Sequence, residues 1–340
     1  MLERHHLTWR GDDNELQTMR LLADLYVKKK EYRLALNLMK GTTLVAPDAK
    51  PVRLIQDDMR RVYEDIFLHG LAEKMSPVES LALFYDFREL TPVGRLGDEM
   101  IRSLADRLIS VELLDQATDL LDHQVNKRLK GSARSQVATR LAMVHLMNRK
   151  AELALRTIRQ TRQAGLPNEL QRSRNLLEAR SLGELGRADA AVEILNTMDG
   201  PEVERLKADA LWSSQNWRGV GEQLEKMLGG RWQDSEPLTD KERFDVLRAA
   251  IGYSLAEDQF ALDRLQKKFY GKMVKTQDAD SFVLVTKPVK LKDVNFRNLA
   301  REIASIDTLN GFMKEFRARY DKTPEPGQTS ESEAQKGRAG

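Results

Sequence analysis

Small residues recur in this chain as pairs that lie twelve positions apart. The pairs are Ala23/Ala35, Ala105/Ala117, Ala142/Ala154, Ala179/Ala191 and, in weaker form, Ala208/Val220. In each pair, the first residue falls in one amphipathic segment and the second falls in the next. Two helices that cross closely leave no room for a larger side chain at the crossing. The spacing therefore predicts a series of stacked helical hairpins.

The clearest repeat unit extends from Glu15 to Pro47. Counted from Leu16, it has Ala23 at position eight, Tyr26 at position eleven and Ala35 at position twenty. These offsets resemble the tetratricopeptide repeat, a helix-turn-helix of about 34 residues with small residues at eight and twenty and a closing proline. The resemblance implies an all-α fold, a right-handed α-solenoid of about six to seven divergent hairpins. Irregular distances between the units make the array divergent.

Other segments extend this organisation without the small-residue signature. An atypical hairpin is expected at residues 52–72 and 77–90, and a further pair at 242–255 and 259–270. Residues 280–289 are β-prone and are expected to form an extended connector. A short capping hairpin is expected at residues 296–304 and 308–320.

The composition along the chain suggests four regions. We expect N-terminal hairpins in residues 1–90, central repeats in 91–229, divergent C-terminal hairpins with the cap in 230–322, and a disordered tail in 323–340. The first boundary precedes a segment with one proline and two glycines, which favour a chain break. The tail has almost nothing to bury.

The resemblance also implies where a partner binds, because the family's concave groove is lined by the first helix of each hairpin. Groove positions five and nine hold an arginine and an aspartate in three units: Arg20/Asp24, Arg102/Asp106 and Arg205/Asp209. Two interpretations stay open, an exposed ion pair within each helix and a charged groove that hydrogen-bonds an extended peptide. Aspartate at position nine would repel the terminal carboxylate that chaperone-binding members grip, so that activity is not expected.

Apolar residues occupy groove positions between the charged units. They are Met143, Leu146, Met147, Leu176 and Trp212. An aromatic ring among flexible methionines is suited to hold apolar side chains of a partner. The alternative is ordinary core, because the distance between units changes which residues face the groove.

Patterns typical of catalysis or metal binding are missing from the sequence. There is no cysteine, and the five histidines lack metal-ligand spacing. The Gly219-Val-Gly221 segment begins like a dinucleotide fingerprint, but Leu224 stands where the third glycine belongs. We therefore expect no enzyme activity, no cofactor and no metal site.

The charge balance and the hydropathy limit the classes of partner and the cellular compartments that fit this chain. With 55 basic and 52 acidic residues, the chain lacks the broad positive field of a non-specific nucleic-acid binder. The basic residues Arg156, Arg159 and Arg162 are expected on a solvated convex side. No run approaches the roughly 20 apolar residues of a membrane span, and the N-terminus lacks a signal peptide. As written, the chain is compatible with the cytoplasm.

The first repeat starts about fifteen residues from Met1 without the polar cap that repeat arrays need. The chain is therefore also compatible with the C-terminal piece of a longer protein, and a periplasmic location then stays open. The predicted function is a non-enzymatic scaffold or adaptor that binds a peptide or helix of a partner protein. The alternative is a module for assembly or self-association in a larger envelope protein, which implies a homo-oligomer.

Overall fold

All regular secondary structure in the described residues is helical. The structure is a computed structural model that describes residues 13–45, 50–286, 303 and 308–320. The chain divides into two compact units, Met1–Arg128 and Leu129–Gly340. The predicted boundaries after residues 90 and 229 do not coincide with this division, and the predicted tail 323–340 lies outside the described residues.

The first unit contains six α-helices among the residues that the structure describes. They are α1 (Asp13–Lys28), α2 (Tyr32–Val45), α3 (Lys50–Phe67), α4 (Pro77–Asp86), α5 (Arg95–Ser110) and α6 (Leu114–His123). Helix α1 packs against both α2 and α3, and α5 packs against both α4 and α6. The two segments predicted as an atypical hairpin, residues 52–72 and 77–90, correspond to α3 and α4, and each helix is followed by a short 3-10 turn.

The second unit contains ten described α-helices. They are α7 (Gly131–Met147), α8 (Ala151–Gln160), α9 (Asn168–Glu184), α10 (Ala188–Leu195), α11 (Pro201–Ser213), α12 (Trp217–Leu228), α13 (Asp240–Leu255), α14 (Gln259–Met273), α15 (Ala279–Thr286) and α16 (Thr308–Tyr320). From α7 to α15, each helix packs against the next one in the chain. The first helices of successive hairpins also pack together, α7 against α9 and α9 against α11.

The small-residue pairs lie where the helices of each hairpin meet. All ten residues are at most 2% exposed. Each pair joins two helices in contact: α1/α2, α5/α6, α7/α8, α9/α10 and α11/α12. The prediction of helical hairpins is therefore confirmed for these five pairs. A sixth pair, Ala250 and Leu262, joins α13 and α14 in the same way.

The six hairpins share one turn geometry. The residue seven positions after the first small residue has a φ between 56° and 71° in Lys30, Glu112, Arg149, Gly186, Gln215 and Glu257. In each turn, the next N–H donates to the carbonyl five residues earlier, as Asn216 does to Leu211 at 2.9 Å. This is the Schellman pattern that ends a helix with one left-handed residue. Only Gly186 adopts that conformation without strain.

Glycines at the contact between α12 and α13 allow close packing. A Cβ at Gly221 would lie 2.5 Å from the buried ring of Tyr253. The Tyr253 hydroxyl donates to Glu225 at 2.8 Å, and Arg264 and Lys268 also donate to that carboxylate. Burial raises the pKa of Glu225, but these hydrogen bonds outweigh it and lower the pKa to about 2. Close packing against Tyr253 therefore requires a glycine at position 221.

The expectation of an extended connector at residues 280–289 is wrong over its described part. Ala279–Thr286 forms α15 instead. Phe282 and Val285 are fully buried in the core that α13 and α14 also build. Burial of these side chains on one helical face outweighs the β-propensity of the segment.

No helix in the described ranges is both long and apolar enough to cross a bilayer.

Candidate interaction site

Arg20 and Asp24 of the first unit each pair with a residue outside the predicted couple. Arg20 on α1 donates to the buried Asp58 on α3. Asp24 pairs with Lys28 on its own helix at 2.7 Å, with both side chains more than half exposed. Arg20 therefore joins the first helices of two successive hairpins. Arg102 and Asp106 are half-buried on α5.

The same kind of bridge occurs in the second unit. Arg205 on α11 donates to Asp245 on α13, with an Nη2–Oδ2 distance of 2.7 Å. Arg205 and Arg20 both occupy position five, and each reaches an aspartate about one repeat further along the chain. Burial lowers the pKa of Arg205, but the hydrogen bond and charge of Asp245 outweigh it and raise that pKa. The arginine therefore stays charged.

Asp209 is the centre of a buried ion-pair network. It accepts from Arg180 on α9 at 3.1 Å and from Arg248 on α13 at 2.7 Å. All three side chains are less than 10% exposed. Arg180 also donates to the partly exposed Glu184 at 2.5 Å. These pairs tie α9, α11 and α13 together, and we call Arg180, Arg205, Asp209, Asp245 and Arg248 the arginine–aspartate network.

The predicted apolar groove residues have mixed surroundings. Met143, Leu146 and Leu176 are buried, and Met147 is half-buried at the end of α7. Trp212 is half-buried. Its ring lies 4.7 Å from the guanidinium of Arg248 and edge-on to a second ring 5.3 Å away, that of Trp217. Trp212 thus packs beside the arginine–aspartate network.

Helix α16 lies against the first helices of these hairpins. Its backbone packs on α7. Leu309, Met313 and Phe316 are buried on one side of α16, while Asn310 and Lys314 are exposed on the other. The sequence predicts that this helix caps the C-terminal end of the stack, whereas its backbone packs on α7, the first helix of this unit. The other predicted capping segment lies, apart from Ile303, outside the described residues.

Side chains connect α16 to three further helices. Arg180 on α9 donates to the Thr308 hydroxyl at 3.1 Å, and its guanidinium lies 5.6 Å from the Phe312 ring centre. Arg319 pairs with Glu202 on α11 at 2.7 Å. Lys241 on α13 donates to Glu315 at 3.2 Å. We call the side of α7, α9, α11 and α13 that carries these contacts the α16 face.

Sequence reasoning missed three parts of this site: Arg180, the residues Asp245 and Arg248, and the position of α16. Arg180 directly follows Ala179 and so occupies position nine of its unit, a groove position that the repeat frame could have identified. Asp245 and Arg248 lie outside positions five and nine, where no signal marked them. The place of α16 could not be read, because an apolar stripe shows that a helix is covered but not by what.

Comparison with known proteins found no match from which a function could be assigned, so the proposal rests on the geometry of the site. No protein-family model matches the chain, and no curated protein matches it significantly in sequence. Among the residues that the structure describes, no cluster of three or more histidine or carboxylate side chains could hold a metal ion. The α16 face is the site that the contacts favour.

Proposed function

We propose that the chain is a tetratricopeptide-like α-solenoid that acts as a non-enzymatic scaffold or adaptor and binds a helix of a partner protein on the α16 face. The repeated small-residue pairs, the common turn and the first-helix ion pairs support the repeat assignment. The single observation that carries the function is α16 itself, a thirteen-residue amphipathic helix seated on that face. A surface that holds one helix has the chemistry to hold another.

The arginine–aspartate network favours a rigid binding surface. Buried arginines hydrogen-bonded to aspartates hold α9, α11 and α13 in fixed register, so little ordering is needed when a ligand binds. Helix-in-groove recognition uses apolar anchors at i, i+3 or i+4, and i+7. Leu309, Met313 and Phe316 have this spacing on α16. The face therefore suits an amphipathic helix better than an extended peptide.

Site-specific photo-crosslinking in the source cells tests the proposal. A photoreactive amino acid replaces Lys241, which is exposed beside α16, and the matched control replaces Phe260, which is exposed on α14. We expect the Lys241 position alone to crosslink a defined helical segment of another protein. Crosslinks to a second copy of this chain would favour self-association instead. No crosslink beyond that of the Phe260 control would refute the proposal.

A further inference from the structure

Helix α16 carries the features of a ligand for this surface. Its apolar stripe follows the i, i+4, i+7 spacing through Leu309, Met313 and Phe316, and Phe312 adds a ring beside Phe316 at 5.7 Å. One side of this thirteen-residue helix is therefore buried against the α16 face. In helix-in-groove complexes the same spacing belongs to the bound partner.

The buried charges of the face are compensated without α16. Arg180 is hydrogen-bonded to Asp209 and Glu184 in addition to Thr308. Removal of α16 thus leaves this buried guanidinium paired with two carboxylates. Removing one partner of a buried ion pair is strongly destabilising, because it leaves a buried charge uncompensated. The face can therefore release α16 and keep its ion pairs.

The other ion pairs of α16 are weak ones. Lys241 and Glu315 are both about 60% exposed. Arg319 is half exposed, and its partner Glu202, which is 12% exposed, keeps a second ion pair with Arg172 on α9. Exposed ion pairs contribute little to stability, because water and salt screen them. They do select among ligands, because a like charge at the same place is repelled. Apolar burial therefore holds α16, and the charges set which helix fits.

We propose that α16 is a built-in competitor that a partner helix displaces from the α16 face. This inference rests on the proposed function and names its partner class. The partner is an amphipathic helix with apolar residues at i, i+4 and i+7 and an aromatic side chain over Arg180. It carries an acidic residue facing Lys241 and a basic residue facing Glu202, as Glu315 and Arg319 do in α16.

A labelled peptide tests this displacement in the full chain. A fluorescent peptide of the α16 sequence, Thr308–Tyr320, is titrated by anisotropy into three proteins: the unchanged chain, Phe316→Asp and the control Lys314→Ala. The carboxylate introduced by Phe316→Asp would lose its hydration in the buried apolar contact, which opposes docking of α16, whereas Lys314 is exposed. We expect Phe316→Asp to bind the peptide at least about tenfold more tightly than the other two, because a tethered helix competes at high effective concentration.

A charge exchange tests the register of the peptide. Adding Lys241→Glu to Phe316→Asp should weaken peptide binding about two- to fivefold, as expected for an exposed ion pair. A peptide with Glu315→Lys should restore it. Equal affinity of all proteins for the peptide, or no binding to folded Phe316→Asp, would overturn the inference.

A second measurement covers the case in which Phe316→Asp does not fold. The unchanged chain is mixed with excess heavy-isotope peptide, and deuterium uptake of its own α16 is followed. Uptake should rise as the peptide takes its place, and constant uptake at saturating peptide would overturn the inference.

The two proposals fail in different ways. If Lys241 crosslinks a partner equally in the unchanged chain and in a chain with Phe316→Asp, α16 does not compete and the further inference fails while the proposed function stands. If the peptide displaces α16 but no partner crosslinks at Lys241, the proposed function fails while α16 is still shown to be displaceable.

Discussion

Replacing Asp209 with alanine should cost the second unit a large part of its stability. The carboxylate is buried and accepts from two buried arginines, at 3.1 Å from Arg180 and 2.7 Å from Arg248. Removing one partner of a buried ion pair costs about 3–5 kcal/mol, because a charge is left uncompensated. Arg180 keeps Glu184, so we expect a loss of roughly 3–4 kcal/mol from the free energy of unfolding. Asp24→Ala is the control, since its pair with Lys28 is exposed and contributes about 0.5 kcal/mol or less.

Urea denaturation followed by tryptophan fluorescence measures this loss. The signal reports the second unit, which contains three of the four tryptophans: Trp212, Trp217 and Trp232. A triple variant with Arg180→Met, Asp209→Leu and Arg248→Met should recover most of the stability, because an apolar cluster carries no buried charge. A loss below about 1 kcal/mol for Asp209→Ala would refute the role of the network in holding α9, α11 and α13 together.

Three further predictions follow from the turns, the packing and the pKa values. Gln215→Gly should stabilise by up to about 1 kcal/mol in the same urea assay, because glycine removes left-handed strain. Gly221→Ala should destabilise by about 1–3 kcal/mol, since its Cβ would meet the Tyr253 ring, whereas exposed Gly271→Ala should not. The Glu225 carboxylate, with its pKa near 2, stabilises the fold above pH 4.5, and this part is lost as pH falls toward 2. Urea midpoints between pH 2 and 5 should fall less steeply in Glu225→Gln.

The hairpins were readable from the sequence because their cause is local. A small residue such as Ala142 is required where two helices cross, and its partner Ala154 follows at a distance set by the turn. The turn residue follows from the same frame, although five of its six examples have a Cβ. Only Gly186 is a residue type that by itself indicates a left-handed turn.

The pairing of the charged side chains was not readable from the sequence. The i, i+4 spacing of Arg205 and Asp209 is compatible with an ion pair within α11, but each side chain instead bonds a neighbouring helix. Which helix lies beside which position depends on unit spacing, and that spacing is irregular here. Helix α15 could not be predicted either. Its residues have a high β-propensity, but burial of Phe282 in the core favours a helix.

Deuterium exchange of the α16 amides tests most directly whether the α16 face holds an amphipathic helix. In the unchanged chain, the amides of Thr308–Tyr320 should be protected well above the free peptide of the same sequence. Phe316→Asp should remove that protection, and Lys314→Ala should keep it. Exchange of α16 in the unchanged chain at the rate of the free peptide would contradict the account.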